Sequence, residues 1–474
     1  MAVHTVKTNS WIDGNGGFRK IEKDSNGNLH CVYVRTDASN RQQVYYAKST
    51  DGGQNWTETK VSNTSNTFTS IYYAQIAIDS NDYIHIIWNH YAELDHHIYY
   101  RKYTTSWGSI EELWKNGSTY WSFSPKIIID NNDIVYVFCS MNWGDSDHRI
   151  YAKKYTTSWV NITESNTCAG SYGNIDVVLD SSNNFHILST GHSFESSYIN
   201  YLKYTTSFSS VSTVDSSRDY YRIQNIQAVI DNDDKIHLFW NAKHATSTTY
   251  NQIRYKLSNS GATSWGTTQN LTSESYDQFS PTSTIDNAGN IHLMWYGKHA
   301  GSTTYNQIRY LKYTTSWSSI SELTSSTSTN QTNACLMGTK IGGYIFVWQD
   351  GSDLKINNNE IVVVAPTVTT QSATNIATTS FTGNGNITDT GGENCTRRGF
   401  CYKAGTSGDP TTSDSVAYDD GDFGTGAFNK SITGLTAGTD YRVRAYAVNS
   451  AGTSYGTTVD VKTLSAFIPR TMWF

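Results

Sequence analysis

The sequence predicts an all-β protein: a ring of six or seven four-stranded sheets, seven favoured, followed by a small separate β-sandwich. Three observations carry that prediction. The composition suits short strands and polar turns. One pattern of strands and turns recurs in six segments at a period of about fifty residues. From about residue 365 that pattern stops and a different strand rhythm begins.

Of the 474 residues, 13% are aromatic and only 16% charged, with 33 Tyr, 14 Trp and 5 Pro. Tyr and Thr favour pleated, half-buried strands, and Ser, Asn, Asp and Gly favour the turns between them. The net charge is −6 and no Lys/Arg run is present, which argues against a nucleic-acid partner. No apolar run is long enough to cross a bilayer, so no membrane partner is expected. The opening Met1-Ala2-Val3-His4-Thr5 lacks the basic-then-apolar pattern of a secretory leader. The scattered Cys form no disulfide framework.

Each repeat begins with an apolar strand ending in Asp, at Asp24, Asp79, Asp130, Asp180, Asp231 and Asp286. A short Asn/Asp/Gly turn follows, then a strand with His near its start: His30, His85, His186, His237 and His292, with Tyr136 in the third repeat. After a variable loop, a Tyr-rich strand runs into a turn closed by Trp56, Trp107, Trp159, Phe208, Trp265 or Trp317. Each unit holds four short strands and shows no helical period. A lone four-stranded meander cannot bury both faces. Sheets stacked radially bury one another, which is the architecture of a β-propeller. A weaker seventh unit spans residues 334–337, 344–348 and 353–356. Residues 3–10 are placed to supply its outer strand, closing the ring and removing exposed edges. The propeller is expected over residues 1–362.

The stretch Ser49-Thr50-Asp51-Gly52-Gly53-Gln54-Asn55-Trp56 resembles the Asp-box of the bacterial neuraminidase repeat, found in sialidase-like propellers. Residues 258–265 resemble a decayed copy, and elsewhere the turn shortens to Tyr-Thr-Thr-Ser-Trp or its Phe variant. The resemblance covers roughly residues 11–360. It implies a fold and not an activity. A sialidase holds its carboxylate substrate with three arginines and uses an Asp and a Tyr/Glu pair. Phe18-Arg19-Lys20-Ile21, with Arg35 and Asp37, faintly resembles such an opening, but no arginine triad assembles. Arg254 and Arg309 lie in a repeated Asn-Gln-Ile-Arg-Tyr and read as structural. No catalytic residue is assigned, and no metal or cofactor is expected. The repeated His, one per blade, stand too far apart for a metal ring and are expected to hydrogen-bond between blades.

Short regular turns occupy one face of such a ring and variable loops the other, so ligand binding is expected on the variable face. The loops leading into the blades carry Tyr72, Tyr73, Tyr120, Trp121, Tyr172, Tyr220, Tyr221 and Tyr276. A near-duplicate pair of segments, 243–255 and 298–310, is placed in the loops between second and third strands. It adds His244, Tyr250, His299 and Tyr305. Aromatic faces near hydroxyls and amides stack on the apolar C–H faces of sugars, so these twelve are candidate glycan-binding residues.

Residues 363–464 differ. Leu435, Gly438 and Tyr441, followed by an alternating strand and an Asn449–Gly452 turn, resemble the fibronectin type III signature. The resemblance implies a β-sandwich spacer with Tyr441 in a tyrosine corner. Residues 465–474 form an apolar tail, in which Phe467, Ile468, Met472, Trp473 and Phe474 are candidate anchors into a partner protein. Together these features lead to the expectation of a non-catalytic protein on a phage particle, or otherwise extracellular. It would bind a cell-surface glycan or host surface, or decorate the particle. Its C-terminal region would anchor it to another virion or surface protein. The alternative is a secreted polysaccharide-active enzyme, a sialidase-type glycoside hydrolase or a polysaccharide lyase.

Overall fold

The computed structural model describes residues 3–10, 20–63, 69–92, 95–116, 121–142, 148–162, 164–165, 173–192, 196–218, 223–244, 247–338, 343–360, 364–391 and 394–466. The chain divides into two compact units, Met1–Glu360 and Ile361–Phe474.

The first unit is all-β and propeller-like. It holds seven four-stranded antiparallel sheets. Sheets 1 to 6 span residues 21–60, 69–116, 121–162, 175–218, 224–270 and 278–322. Sheet 7 combines Gln331–Gly338, Gly343–Asp350 and Asp353–Glu360 with the N-terminal strand Val3–Lys7. That strand pairs along Asp353–Glu360, from Val3 opposite Asn357 to Lys7 opposite Leu354. The first strand of each sheet touches the first strand of the next, and sheet 7 touches sheet 1. The core is a series of slabs between neighbouring sheets. One, between sheets 1 and 2, holds Val32, Val34, Val44, Ile76, Ile86 and Trp88.

The repeated Asp turns build one device many times over. In sheet 1 one Asp24 oxygen accepts the N–H groups of Asn26 and Asn28 across the turn. Its second oxygen receives the Nε2–H of His30, whose Nδ1 meets the Tyr46 hydroxyl. The same Asp–His–Tyr chain recurs in sheets 2, 4, 5 and 6. The His–Asp distances are 3.0–3.2 Å and the His–Tyr distances 2.6–2.9 Å. Burial lowers the affinity of all five imidazoles for a proton. Each is neutral, donating through Nε2 and accepting through Nδ1.

These histidines therefore bond within their own sheet, not between blades as the sequence had indicated. The link to the neighbour is aromatic. Trp107 sets its edge on Tyr46 at 5.3 Å, Trp159 on Tyr100 at 4.9 Å and Trp317 on Tyr255 at 5.3 Å. Each of these three Trp thus packs on the Tyr of the preceding sheet's chain. The turns also touch one another. Asp82 accepts from Ser25, and Asp234 from Ser181, one sheet back.

On the opposite face the first strands bulge at one repeated place. Tyr73, Ser124, Asn225, Ser280 and Asn333 have φ between 44° and 59°, and the pairing register slips there in each case. A side-chain chain links sheets 3 to 6 at this level, from Ser124 to Asn174 (3.0 Å), Asn174 to Asn225 (3.4 Å) and Asn225 to Ser280 (3.2 Å).

The second unit packs a three-stranded sheet and a five-stranded sheet around Phe381, Phe400, Phe428 and Val443. The Tyr441 hydroxyl accepts the backbone N–H of Thr436 at 2.9 Å.

Candidate functional site

Sheet 2 departs from the repeat at its end on the variable face. Its second strand, Ile84–Ala92, and third strand, Asp95–Tyr103, form a hairpin that pairs His90 with His97 and Trp88 with Tyr99. Four of the chain's 13 His lie between residues 85 and 97. Only His85 of these belongs to the repeated turn device, so the other three need another reason to be there.

The pairing register identifies what His97 replaces. The equivalent third-strand positions in sheets 1, 5 and 6 are Gln43, Gln252 and Gln307. Each of these amides accepts from a hydroxyl that follows the fourth strand: Ser62 at 2.7 Å, Thr272 at 2.8 Å and Thr324 at 3.1 Å. They are structural clasps. Sheet 2 gives that clasp up. His97 Nδ1 instead lies 3.3 Å from Glu112 Oε2, an oxygen that also accepts the Tyr99 hydroxyl at 3.4 Å. The His97 and Tyr99 rings stack 5.6 Å apart and nearly parallel, at 6°.

A carboxylate only accepts, so the Glu112 contact places the imidazole proton on Nδ1. That leaves the lone pair on Nε2, which makes no hydrogen bond among the described residues. The His97 side chain is largely buried, at 11% exposed, and the Glu112 side chain beside it is 41% exposed. Lys115 pairs with His97 on the next strand and is exposed. His90 lies behind, its ring 6.1 Å from that of His97. Burial, and then the neighbouring His97, push its pKa down to about 4. Its Nε2 is buried with no partner among the described residues. Burial and the Glu112 charge raise the pKa of Tyr99. A base held by a carboxylate, a phenol beside it and a lysine alongside can together move a proton next to an anionic group. Among the described residues no cluster of His, Cys, Asp or Glu is arranged to hold a metal ion.

The sequence-predicted glycan residues fall in several places. Tyr72 and Tyr73 lie in strand Thr69–Ile78 and not in a loop, with rings 6.1 Å apart and Tyr72 44% exposed. Tyr72 pairs with Asn89, next to His90. Tyr250 and Tyr276 come together, with ring centroids 6.4 Å apart. His299 meets the Glu322 carboxylate, and Tyr305 is half-buried in strand Ser302–Tyr313. Trp121 begins strand Trp121–Ile129 and His244 ends strand Ile236–His244, so Trp121 too is a strand residue. Tyr120, Tyr172, Tyr220 and Tyr221 lie outside the described residues, as do Phe467, Ile468, Met472, Trp473 and Phe474. The duplicated segments are long hairpin strands and not loops. Their Thr and Tyr run suits a strand, and in the second copy only Ala300 and Gly301 remain for the turn.

No family model matches the chain, and no curated protein matches it. Solved structures do. A polysaccharide lyase of family PL25, an ulvan lyase, superposes with a TM-score of 0.53 at 10% identity, covering 76% of this chain and 96% of its own. The enzyme bound to -[GlcA(1-4)Rha3S]- gives 0.52 at 10%, covering 75% and 95%. A Hadza microbial sialidase gives 0.40 at 10%, covering 73% and 66%, too distant to carry an argument. At such identities the shared property is the fold. The matches nevertheless overturn the expectation of a non-catalytic binding or decoration protein on a phage particle. The two structures with TM-scores above 0.5 are both described as a polysaccharide lyase, which sides with the alternative, a glycan-active enzyme. What the comparisons establish for this chain is a propeller-like fold of the kind on which polysaccharide lyases are built.

Proposed function

We propose that the chain is a polysaccharide-active enzyme, a lyase that cleaves a uronate-containing chain by β-elimination, on a seven-bladed propeller followed by a fibronectin type III-like module. The observation that carries this is the Glu112–His97–Tyr99 group, present in one copy where sheets 1, 5 and 6 carry a glutamine clasp. His97 Nε2 takes the proton from the carbon that bears the sugar carboxylate. Lys115 offsets the negative charge that builds on that carboxylate. The electron pair left behind forms the new carbon–carbon double bond, the bond to the glycosidic oxygen breaks, and that oxygen takes its proton from the Tyr99 hydroxyl. The proton on His97 then returns to Tyr99 through solvent. Neutral His90 behind the base adds no repulsion while His97 is charged.

A hydrolase reading is weaker. Paired-carboxylate hydrolysis needs two carboxylates across the scissile bond, and this group offers one. The test is incubation with uronate-containing polysaccharides, following the ultraviolet absorbance of the unsaturated product. Wild type gains that signal and His97→Ala loses it. New reducing ends without the double bond, or full activity in His97→Ala, would sink the lyase reading.

A further inference from the structure

The Tyr250–Tyr276 pair is a second departure from the repeat: Tyr250 recurs as Tyr305, but Tyr276 does not recur. Tyr250 sits on strand Ser247–Leu257 of sheet 5, and Tyr276 precedes strand Gln278–Ile285 of sheet 6. The duplicated hairpin of sheet 6 shows what this junction holds without the second ring. In both copies an acceptor from the segment leading into the next sheet caps the hairpin strand. Asp277 takes the Asn251 N–H at 2.6 Å, and Asn330 takes the Asn306 N–H at 2.9 Å. In both copies a glutamine amide secures that segment: Gln252 to the Glu274 carbonyl at 2.9 Å and Gln307 to the Ser326 carbonyl at 2.8 Å. The scaffold is therefore the same, but the place of Tyr276 is taken by Thr329. The paired rings are not needed to hold the junction together.

Their position gives them a use. In a ring of seven sheets, the junction of sheets 5 and 6 lies half-way round from sheet 2. The end of a second-to-third-strand hairpin and the segment leading into a first strand both lie on the face that carries His97. Both tyrosines are half-buried, so their rings are held yet accessible.

We infer that Tyr250 and Tyr276 form a sugar-stacking subsite that holds the distal part of the polysaccharide across the mouth of the ring, while Tyr72 and Tyr73 flank the reacting unit at sheet 2. This rests on the lyase reading for what happens at sheet 2, though not for binding itself. The subsite takes a sugar ring by its C–H face, which stacks on the phenols.

The experiment compares wild type, Tyr250→Ala/Tyr276→Ala and Tyr250→Phe/Tyr276→Phe, with thermal melting as the check on folding. Hyaluronan, alginate, polygalacturonate and a glucuronate–rhamnose-3-sulfate polymer serve as probes, each also as a tetrasaccharide. For the polymer that is cleaved, the Ala pair raises KM about tenfold with kcat unchanged, leaves the tetrasaccharide unaffected, and weakens retention in affinity electrophoresis. The Phe pair restores all three. Equal loss on polymer and tetrasaccharide, or unchanged KM and retention, overturns the subsite while the lyase reading stands. If no probe is cleaved but the Ala pair still loses retention, the lyase reading falls and the subsite survives. No retention of any probe by wild type overturns the subsite.

Discussion

Sheet 2 contains the same three chemical groups twice, at its two ends. At one end Asp79, His85 and Tyr100 form a chain in which both imidazole nitrogens are used, at 3.1 and 2.7 Å, and His85 is fully buried. At the other end Glu112, His97 and Tyr99 share one carboxylate oxygen, and only one imidazole nitrogen is used. The first arrangement occurs in five sheets and the second in one. A carboxylate, a histidine and a tyrosine are therefore not in themselves a site. Use of both nitrogens makes a folding device, and a nitrogen left over beside a half-exposed carboxylate makes a reagent.

The sharpest way to break this comparison is to remove each histidine in turn. His97→Ala, or Glu112→Gln, is expected to lower kcat by roughly 10²–10⁴ with little change in Tm. His85→Ala is expected to do the reverse. It leaves Asp79 buried without its partner and costs about 3–5 kcal/mol in denaturant unfolding, with kcat of the folded fraction retained. Loss of kcat in folded His85→Ala would mean that the two ends are not independent.

Acid should act first on the repeated end. The five turn histidines bind protons more weakly folded than unfolded, so the unfolded chain takes up protons first as pH falls below about 6.5. Stability is level above that pH and declines below it. Asp24, Asp79, Asp180 and Asp286, also depressed, extend the decline below the ordinary carboxylate range. A Tm measured across pH 4–8 that stays flat would contradict the neutral, doubly bonded histidines.

The smallest expected effect comes from repairing the repeat. Trp295 and Trp348 donate their indole N–H to Gln278 and Gln331 at 2.8 and 2.6 Å. The equivalent Trp240 has a buried indole N–H without a partner, because sheet 5 carries Ile223 in the glutamine's place. Ile223→Gln is expected to raise stability by about 1 kcal/mol, read as a small upward shift in Tm. A lowered Tm would show that the sheet 5 backbone does not present the acceptor in the same geometry.

Much of the scaffold was legible because it is periodic. Asp, His and the closing Trp recur at fixed offsets, so each copy reinforces the reading of the others. The strand that closes sheet 7 was readable for a similar reason, since residues 3–10 had nothing local to pair with. The candidate site was not legible, because it is an exception to that period. His97 and Glu112 sit on different strands, with a slip in register between Ile98 and Tyr99, so no sequence spacing places them side by side. The duplicated segments misled for the opposite reason. Their similarity was visible, but not that they continue the strands. A signal existed in hindsight: His97 stands where Gln43, Gln252 and Gln307 stand in other repeats.

The pairing of Val3–Lys7 with Asp353–Glu360 has a consequence in time. During synthesis strand Val3–Lys7 is made some 350 residues before its partner. Until then the growing ring has two unmatched ends and an unsealed slab between sheets 7 and 1, where Ile21, Cys31, Val347 and Ile356 finally meet. The nascent chain must keep those edges from other strands for about 20–70 seconds at ordinary elongation rates, which makes closure a late, single event on which the order of the whole first unit depends.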